Sequence, residues 1–399
     1  MKEYGITGWT NSQDNRKKVL VFISFMIIMV VMGASDSLRG VFALVFQNHF
    51  KLTTSQVSMI IMVSYIGNLV FLFFGGSFLD RFQKKKVFIT VLCIWMSGAV
   101  LFIMTDNFIV LLIGMFLCMG ASTLINTTIN ILVPVIFAAS PGLIVNVLYF
   151  VQGIGTSGSQ NAIGSLTMSF TSWKLVNMIL ITLAVLGAIF LFINEIPDVK
   201  QKDKKKVTYG SIIKTPAFVF FTLIFGFYFI AEHGILNWLI IYGTNELGFT
   251  TAKAARYLSI FFGGITIGRF VFAPAVQKLG VAKSIGIFGC VGMVFYVLGI
   301  IFSSKAIILL SLSGFSISIV YPTLVLMIRN FYENDRIATA TGAVISLATI
   351  YDICFNAVFG KLIDNFGLRT SFYILPASML IFCVLFLIFC KTVKPVKKA

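Results

Sequence analysis

The chain has 399 residues, of which 58% are hydrophobic and only 11% charged, and its mean hydropathy is +0.97. A soluble domain of this size cannot bury that much apolar surface, so the composition excludes an ordinary soluble enzyme and indicates a chain solvated by lipid. The formal net charge of +17 could suggest a nucleic-acid partner, but its distribution argues against one, as shown below.

Apolar runs long enough to cross a bilayer recur along the chain. The predicted spans are 18–46, 54–79, 86–105, 108–138, 142–169 and 174–195, then 214–243, 252–276, 283–303, 305–332, 337–363 and 370–391. Strand-like alternation is absent, so a membrane barrel is not expected. The expected fold class is therefore an all-α membrane protein with twelve transmembrane helices. A basic start leads directly into span 1, which is too long for the apolar core of a cleavable leader.

Span 1 carries Asp36 and Arg39, three residues apart on one helix face. Gly33, Gly40, Ala43 and Gln47 extend that face as a small or polar stripe, suited either to a hydrated cavity or to close helix packing. Low dielectric favours the neutral acid, and the neighbouring guanidinium favours the anion. A carboxyl group held between those influences can exchange a proton; the plainer alternative is a permanent ion pair. Charges deep in a membrane are costly, so Glu232 and His233 in span 7, Arg269 in span 8 and Asp352 in span 11 are functional candidates for the same reason.

Span 4 carries Ser122, Asn126 and Asn130 at four-residue steps, beside Thr123 and Thr127. Span 5 aligns Asn146, Tyr149, Gly153, Ser157 and Asn161 on one face, with Gln152 and Gln160 nearby. Such stripes serve either as polar glue between helices or as donors and acceptors for an uncharged polar solute. Gly153-x-Gly155-x-x-Gly158 spells a dinucleotide fingerprint, but no strand precedes it, and close helix packing accounts for it. A polar linker at 196–213 follows span 6. On span 7, His233 and Asn237 share one face and Tyr228 and Glu232 another, about 100° away. Only one of these faces can point squarely at a cavity. Trp238 and, in span 10, Tyr321 are candidate aromatic platforms. Asn356 follows Asp352 by one turn in span 11. Arg269 either binds an anionic solute or pairs with Asp352 or Glu232. All six cysteines fall inside predicted spans with neither metal-site nor disulfide spacing.

The chain is also written twice. Thr53-Thr54 recurs 197 residues later as Thr250-Thr251, and at the same offset Gly67 matches Gly264 and Lys86 matches Lys283. Gly164 and Phe170 match Gly360 and Phe366 at an offset of 196. Asp36 falls opposite His233, and Ser35 opposite Glu232. Two copies of one bundle imply a site on the pseudo-symmetry axis between them, the layout of a secondary transporter. With a cytoplasmic N-terminus, the inner segments hold 22 of the 31 Lys and Arg residues and the outer segments 6. That asymmetry is a topology signal, and it places both termini in the cytoplasm of a cell-membrane protein.

The segment Gly76-Ser-Phe-Leu-Asp80-Arg81-Phe-Gln83-Lys84-Lys85 resembles the signature loop of the major facilitator superfamily, with Gln83 in place of its second glycine. A weakened copy runs from Ala273 to Lys283, and Gly360-x-x-x-Asp364-x-x-Gly367 resembles a further element of the family. Glu232, the run Ser259-x-Phe-Phe-x-Gly-x-x-x-Gly268-Arg269, and Tyr321-Pro322 resemble the fucose–proton symporter branch, including its glucose/mannose members. The resemblance implies two six-helix bundles, 1–195 and 214–399, working by alternating access. It also implies a gating role for Gly76, Asp80, Arg81 and Lys85, with Asp80 capping a neighbouring helix.

The expected function is proton-coupled uptake of a small polar solute, a sugar first. Small organic anions, or efflux of a metabolite or drug, are the alternatives, although the Gly-Pro step of drug antiporters is missing from span 5. The proton-coupling set is Asp36, Arg39, Glu232 and Asp352. The solute set is Asn126, Asn130, Asn146, Gln152, Asn161, His233, Asn237, Trp238, Arg269, Tyr321 and Asn356. No enzymatic activity, cofactor, metal or nucleic acid is expected. The partners are the solute, the proton and the lipid bilayer, and the protein is expected to be a monomer.

Overall fold

A computed structural model describes residues 12–137, 139, 141–166, 169–194, 210–333 and 336–395. Among these residues it contains sixteen α-helices, one 3-10 turn at Ser303–Lys305 and no strand. The helices fall into two compact units. The first unit holds α1 (Ser12–Val41) as far as Leu38, α3 (Thr54–Arg81) from Val63, α4 (Lys84–Met104), α5 (Phe108–Ile136), α6 (Pro141–Gly164) as far as Thr156, and α7 (Phe170–Ile193).

The second unit takes the end of α1, α2 (Ala43–Phe50), the first turns of α3 and the end of α6. It continues with α8 (Gly210–Ile213), α9 (Pro216–Asn245), α10 (Thr251–Leu279), α11 (Val281–Ile301), α12 (Ile307–Ile317), α13 (Val320–Ile328), α14 (Ile337–Phe366), α15 (Leu368–Phe372) and α16 (Ile374–Thr392). This division differs from a cut at the linker, because Arg39–Met62 and Ser157–Leu166 pack on helices of the later half. Most of the linker, 196–209, lies outside the described residues; its last four residues form α8.

Among the described residues, eleven helical segments are long and apolar enough to cross a membrane. The twelfth span is α6, which has 24 residues; its Asn, Gln, Ser and Thr side chains lower its hydropathy. Span 10 is not one helix but two, α12 and α13. Pro322 stands third in α13, where its missing N–H and its ring clash with the carbonyl four residues earlier break the helix. Pro376, third in α16, separates α16 from α15 in the same way. Large apolar side chains such as Phe73 (77% exposed) and Ile193 (71%) point outward, which suits lipid contact.

The repeated residues have repeated jobs. Thr53 caps α3 by accepting from Gln56 N (3.3 Å), and Thr250 caps α10 by accepting from Lys253 N (3.2 Å). A Cβ on Gly67 would lie 2.2 Å from Phe116 O, and one on Gly264 would lie 2.9 Å from Phe315 N. Each glycine lets two backbones approach where any side chain would hold them apart.

Candidate functional site

In the first unit, the small-residue stripe of α1 is a packing seam. A Cβ on Gly33 would stand 2.1 Å from Gln152 O, and one on Gly155 would stand 2.3 Å from Val30 O. Gly155 thus belongs to the seam, as expected for the Gly-rich run of α6. Thr156 Oγ1 donates to Gly33 O (3.1 Å), holding α6 against α1. The seam brings Asp36, partly exposed, to α5, where the fully buried Ser122 hydroxyl donates to Asp36 Oδ2 at 2.8 Å.

The rest of the α5 stripe divides. Thr123 and Thr127 bond to their own helix, donating to Met119 O (3.1 Å) and Thr123 O (2.9 Å). Asn126 keeps a buried Oδ1 that accepts no hydrogen bond among the described residues. Asn130 is exposed and its amide donates to the Tyr149 hydroxyl at 2.6 Å, tying α5 to α6. Asn146 and Asn161 are exposed, and Gln152 is partly so.

In the second unit, a Cβ on Gly40 would lie 2.2 Å from Leu236 O, so the end of α1 meets α9 backbone to backbone. Arg39, 4% exposed, donates from Nε to Asn237 Oδ1 at 3.0 Å. His233 Nδ1 lies 2.7 Å from Asp352 Oδ2, with side-chain exposures of 25% and 1% respectively. The imidazole stacks on Phe229 at 5.0 Å. One turn beyond Asp352, Asn356 Oδ1 accepts from Trp238 Nε1 (3.2 Å), while its amide donates to Asp352 O (2.9 Å).

The two faces of α9 do not separate as the spacing predicts. Asn237 and Tyr228 are buried, whereas His233 and Glu232 are partly exposed, so each face contributes one residue to each environment. Trp238 is fully buried and offers no open ring face for a solute. Tyr321 is partly exposed and sits 5.9 Å from both Phe225 and Phe229. Glu232, Arg269 and Tyr321 all lie within electrostatic range of Tyr228. Arg269 is half-buried, and its Nε has no hydrogen-bond partner among the described residues.

Below Asn356, α14 is fastened to the first turns of α3. The Ser58 hydroxyl donates to Asn356 O, and Asp364 Oδ2 accepts from Ser55 N (3.2 Å) and Ser55 Oγ (2.5 Å). Between them, a Cβ on Gly360 would meet Ser58 Cβ at 2.7 Å. The repeat reproduces this seam. A Cβ on Gly164, the counterpart of Gly360, would stand 2.0 Å from the Cβ of Ala255, the counterpart of Ser58.

Gln160, the counterpart of Asn356, was legible only as a neighbour of the α6 stripe. It is fully buried, and neither amide atom has a partner among the described residues. The 196-residue offset to Asn356 is the signal that singles it out.

Of the expected gating residues, Lys85 donates from Nζ to Phe192 O (3.3 Å) and Asn194 O (2.8 Å), neutralising the C-terminal end of α7. Gly76, Asp80 and Arg81 belong to α3 by backbone, but their side-chain surroundings lie outside the described residues. A separate cleft of about 380 Å³ at the end of α9 is lined by Tyr242, Glu246, Ser303, Lys305 and Arg369 among others, and contains none of the expected residues.

Comparison with known proteins fits this geometry. The chain is 25% identical over 207 residues to a candidate glucose/galactose transporter of Helicobacter pylori, a match covering 52% of this chain and 50% of that protein. The chain thus spans about half the length of that relative. It is 23% identical to the hexuronate transporter of Bacillus subtilis, covering 95% of this chain and 96% of that one. A crystal structure of a variant of the Escherichia coli fucose:proton symporter aligns with a TM-score of 0.66 at 19% identity, over 94% of this chain and 99% of that one. Residues 20–351 match the family model described as Major Facilitator Superfamily, and the chain belongs to that superfamily of membrane transporters.

Proposed function

We propose that this transporter takes up a small polar solute, a sugar, together with protons, by alternating access in the cell membrane. The single observation that carries the proton coupling is Asp36. It is an acid within a membrane helix, partly exposed, and it accepts a hydrogen bond from the Ser122 hydroxyl of α5. A hydroxyl donor orients the carboxyl group without itself fixing the charge, and an ionisable group embedded in a membrane span is a functional candidate by its cost alone. The sugar reading is supported by the exposed side chains of Asn130, Asn146 and Asn161 and by the names of the relatives. Asn126 and Gln152 in the first unit, and Tyr321 and Glu232 in the second, are further candidates, each within its own unit. A monomer with both termini in the cytoplasm accords with the charge distribution.

The test is transport by purified protein in liposomes. Asp36→Asn should abolish accumulation driven by a pH gradient and leave solute counterflow intact. Driven accumulation that survives the substitution would refute the assignment.

One observation favours a second reading, a sugar acid as solute. Arg269 carries a buried Nε with no hydrogen-bond partner among the described residues, and the relative matched along nearly its full length is named a hexuronate transporter. Under that reading, Arg269→Gln raises the solute concentration needed for half-maximal uptake of a uronate at least tenfold. Uptake of a neutral hexose would not change in affinity.

A further inference from the structure

We propose that His233 and Asp352 form a proton-binding dyad, in which the imidazole takes up and releases the proton and the carboxylate fixes the ring and balances its charge. The step is simple in its chemistry: a neutral imidazole plus one proton gives an imidazolium, and no other bond changes. The dyad lies in the second unit, on α9 and α14, whereas Asp36 belongs to the first. It rests on the transport reading only for what proton binding would be used for.

Four observations carry it. First, Nδ1 and Oδ2 are 2.7 Å apart, the length of a charge-assisted bond, and this contact commits Nδ1–H to the acid. Second, the burial is unequal. Asp352 is 1% exposed and His233 25% exposed, so the imidazole is the more accessible partner of the two.

Third, Asp352 Oδ1 is buried and accepts no hydrogen bond among the described residues. A buried carboxylate with one oxygen unmatched is costly, so its charge leans on the ring, and an imidazolium offsets it better than a neutral imidazole. Fourth, the charged groups within electrostatic range of the ring include Asp352 from α14, Glu232 from α9 itself and Arg39 from the end of α1. Two acids and one guanidinium sum to one negative charge, and a proton on His233 brings the group to neutrality. In a membrane interior, neutrality of a cluster is strongly favoured. Phe229 covers one face of the ring and limits its rotation.

The sequence provides a clean experiment, because the chain has two histidines, His49 and His233. Purified full-length protein labelled with 13C in the histidine rings gives two ring signals, and His233→Gln identifies which is which. The His233 signal should shift as the pH is varied between about 5 and 9. Asp352→Asn should weaken proton binding to that ring about tenfold or more. Asp352→Glu, which keeps the charge, should restore most of it.

An unaltered His49 signal reports that each variant is folded. If Asp352→Asn fails that check, Asp352→Glu and the parent carry the test through the titration itself. A His233 signal that does not titrate between pH 5 and 9, or one indifferent to Asp352→Asn in folded protein, overturns the dyad. No solute is present in these measurements, so their outcome is independent of whether the protein carries sugars.

Discussion

Replacing Gly360 by alanine adds one methyl group where α14 crosses the start of α3. The new Cβ would stand 2.7 Å from Ser58 Cβ, 2.8 Å from Ser55 Cα and 2.9 Å from Thr54 O. Carbon atoms prefer separations of about 3.5–4.0 Å, so the two helices must part by roughly 1 Å. Two of the three obstructing atoms are backbone, and no rotamer change relieves them. Parting also loosens the hydrogen bonds from Ser58 to the Asn356 carbonyl and from Ser55 to Asp364. Overpacking of this kind costs about 1–3 kcal/mol. Alanine regains up to about 1 kcal/mol over glycine in a helix.

Gly342 provides the control on the same helix. A Cβ there meets nothing within 4 Å, so Gly342→Ala collects the helix gain without the clash. Gly164→Ala and Gly158→Ala repeat the comparison on α6, where Gly158 is the open position. The assay is thermal unfolding of purified protein followed by a thiol-reactive dye, which detects release of the buried Cys118 and Cys383. Gly360→Ala should melt below Gly342→Ala by several degrees, at about 2–4 °C per kcal/mol for a chain of a few hundred residues. Equal melting of the two variants would show that the seam is looser than the interatomic distances require.

Asp364→Ala should raise amide hydrogen exchange at Ser55 about fivefold, the loss of a helix cap worth about 1 kcal/mol, with Asp364→Asn intermediate; exchange mass spectrometry reads this directly. Lys85→Met should lower stability by about 0.3–1 kcal/mol, since it uncovers the carbonyls that end α7, and the difference should shrink in high salt. Trp238→Phe leaves the buried Asn356 Oδ1 without its donor and should cost about 1–3 kcal/mol, while the double change with Asn356→Leu should recover much of that loss. The dye assay checks both.

The fold was legible because membrane helices announce themselves by length and apolarity, and because the duplication marks equivalent positions. Thr53 and Thr250, Gly67 and Gly264, and Gly164 and Gly360 stand out in the sequence for physical reasons that the structure shows to be caps and close approaches. The break at Pro322 was also present in the sequence, although hydropathy ran through it.

Partnerships were not legible. Helical spacing names neighbours only on the same helix, so it set Asp36 beside Arg39. In the structure Asp36 accepts from Ser122 on α5, and Arg39 donates to Asn237 on α9. His233 and Asp352 lie 119 positions apart in the chain. Such pairings depend on the register of one helix against another. That register is set by contacts such as Gly33 on Gln152 and Gly40 on Leu236, which spacing along a single helix does not encode. Trp238 was legible as an aromatic, but its burial depends on Phe359 and Asn356 from α14.

Gln160 and Asn356 occupy twin positions yet live differently. Asn356 is spoken for by a tryptophan; Gln160 sits in the same seam of the other copy with its amide unclaimed by the described chain. Duplication allows that division of labour. Once one twin supplies rigidity, its sibling is released from structural duty, and mutations at position 160 can retune the protein without dismantling the scaffold that position 356 secures.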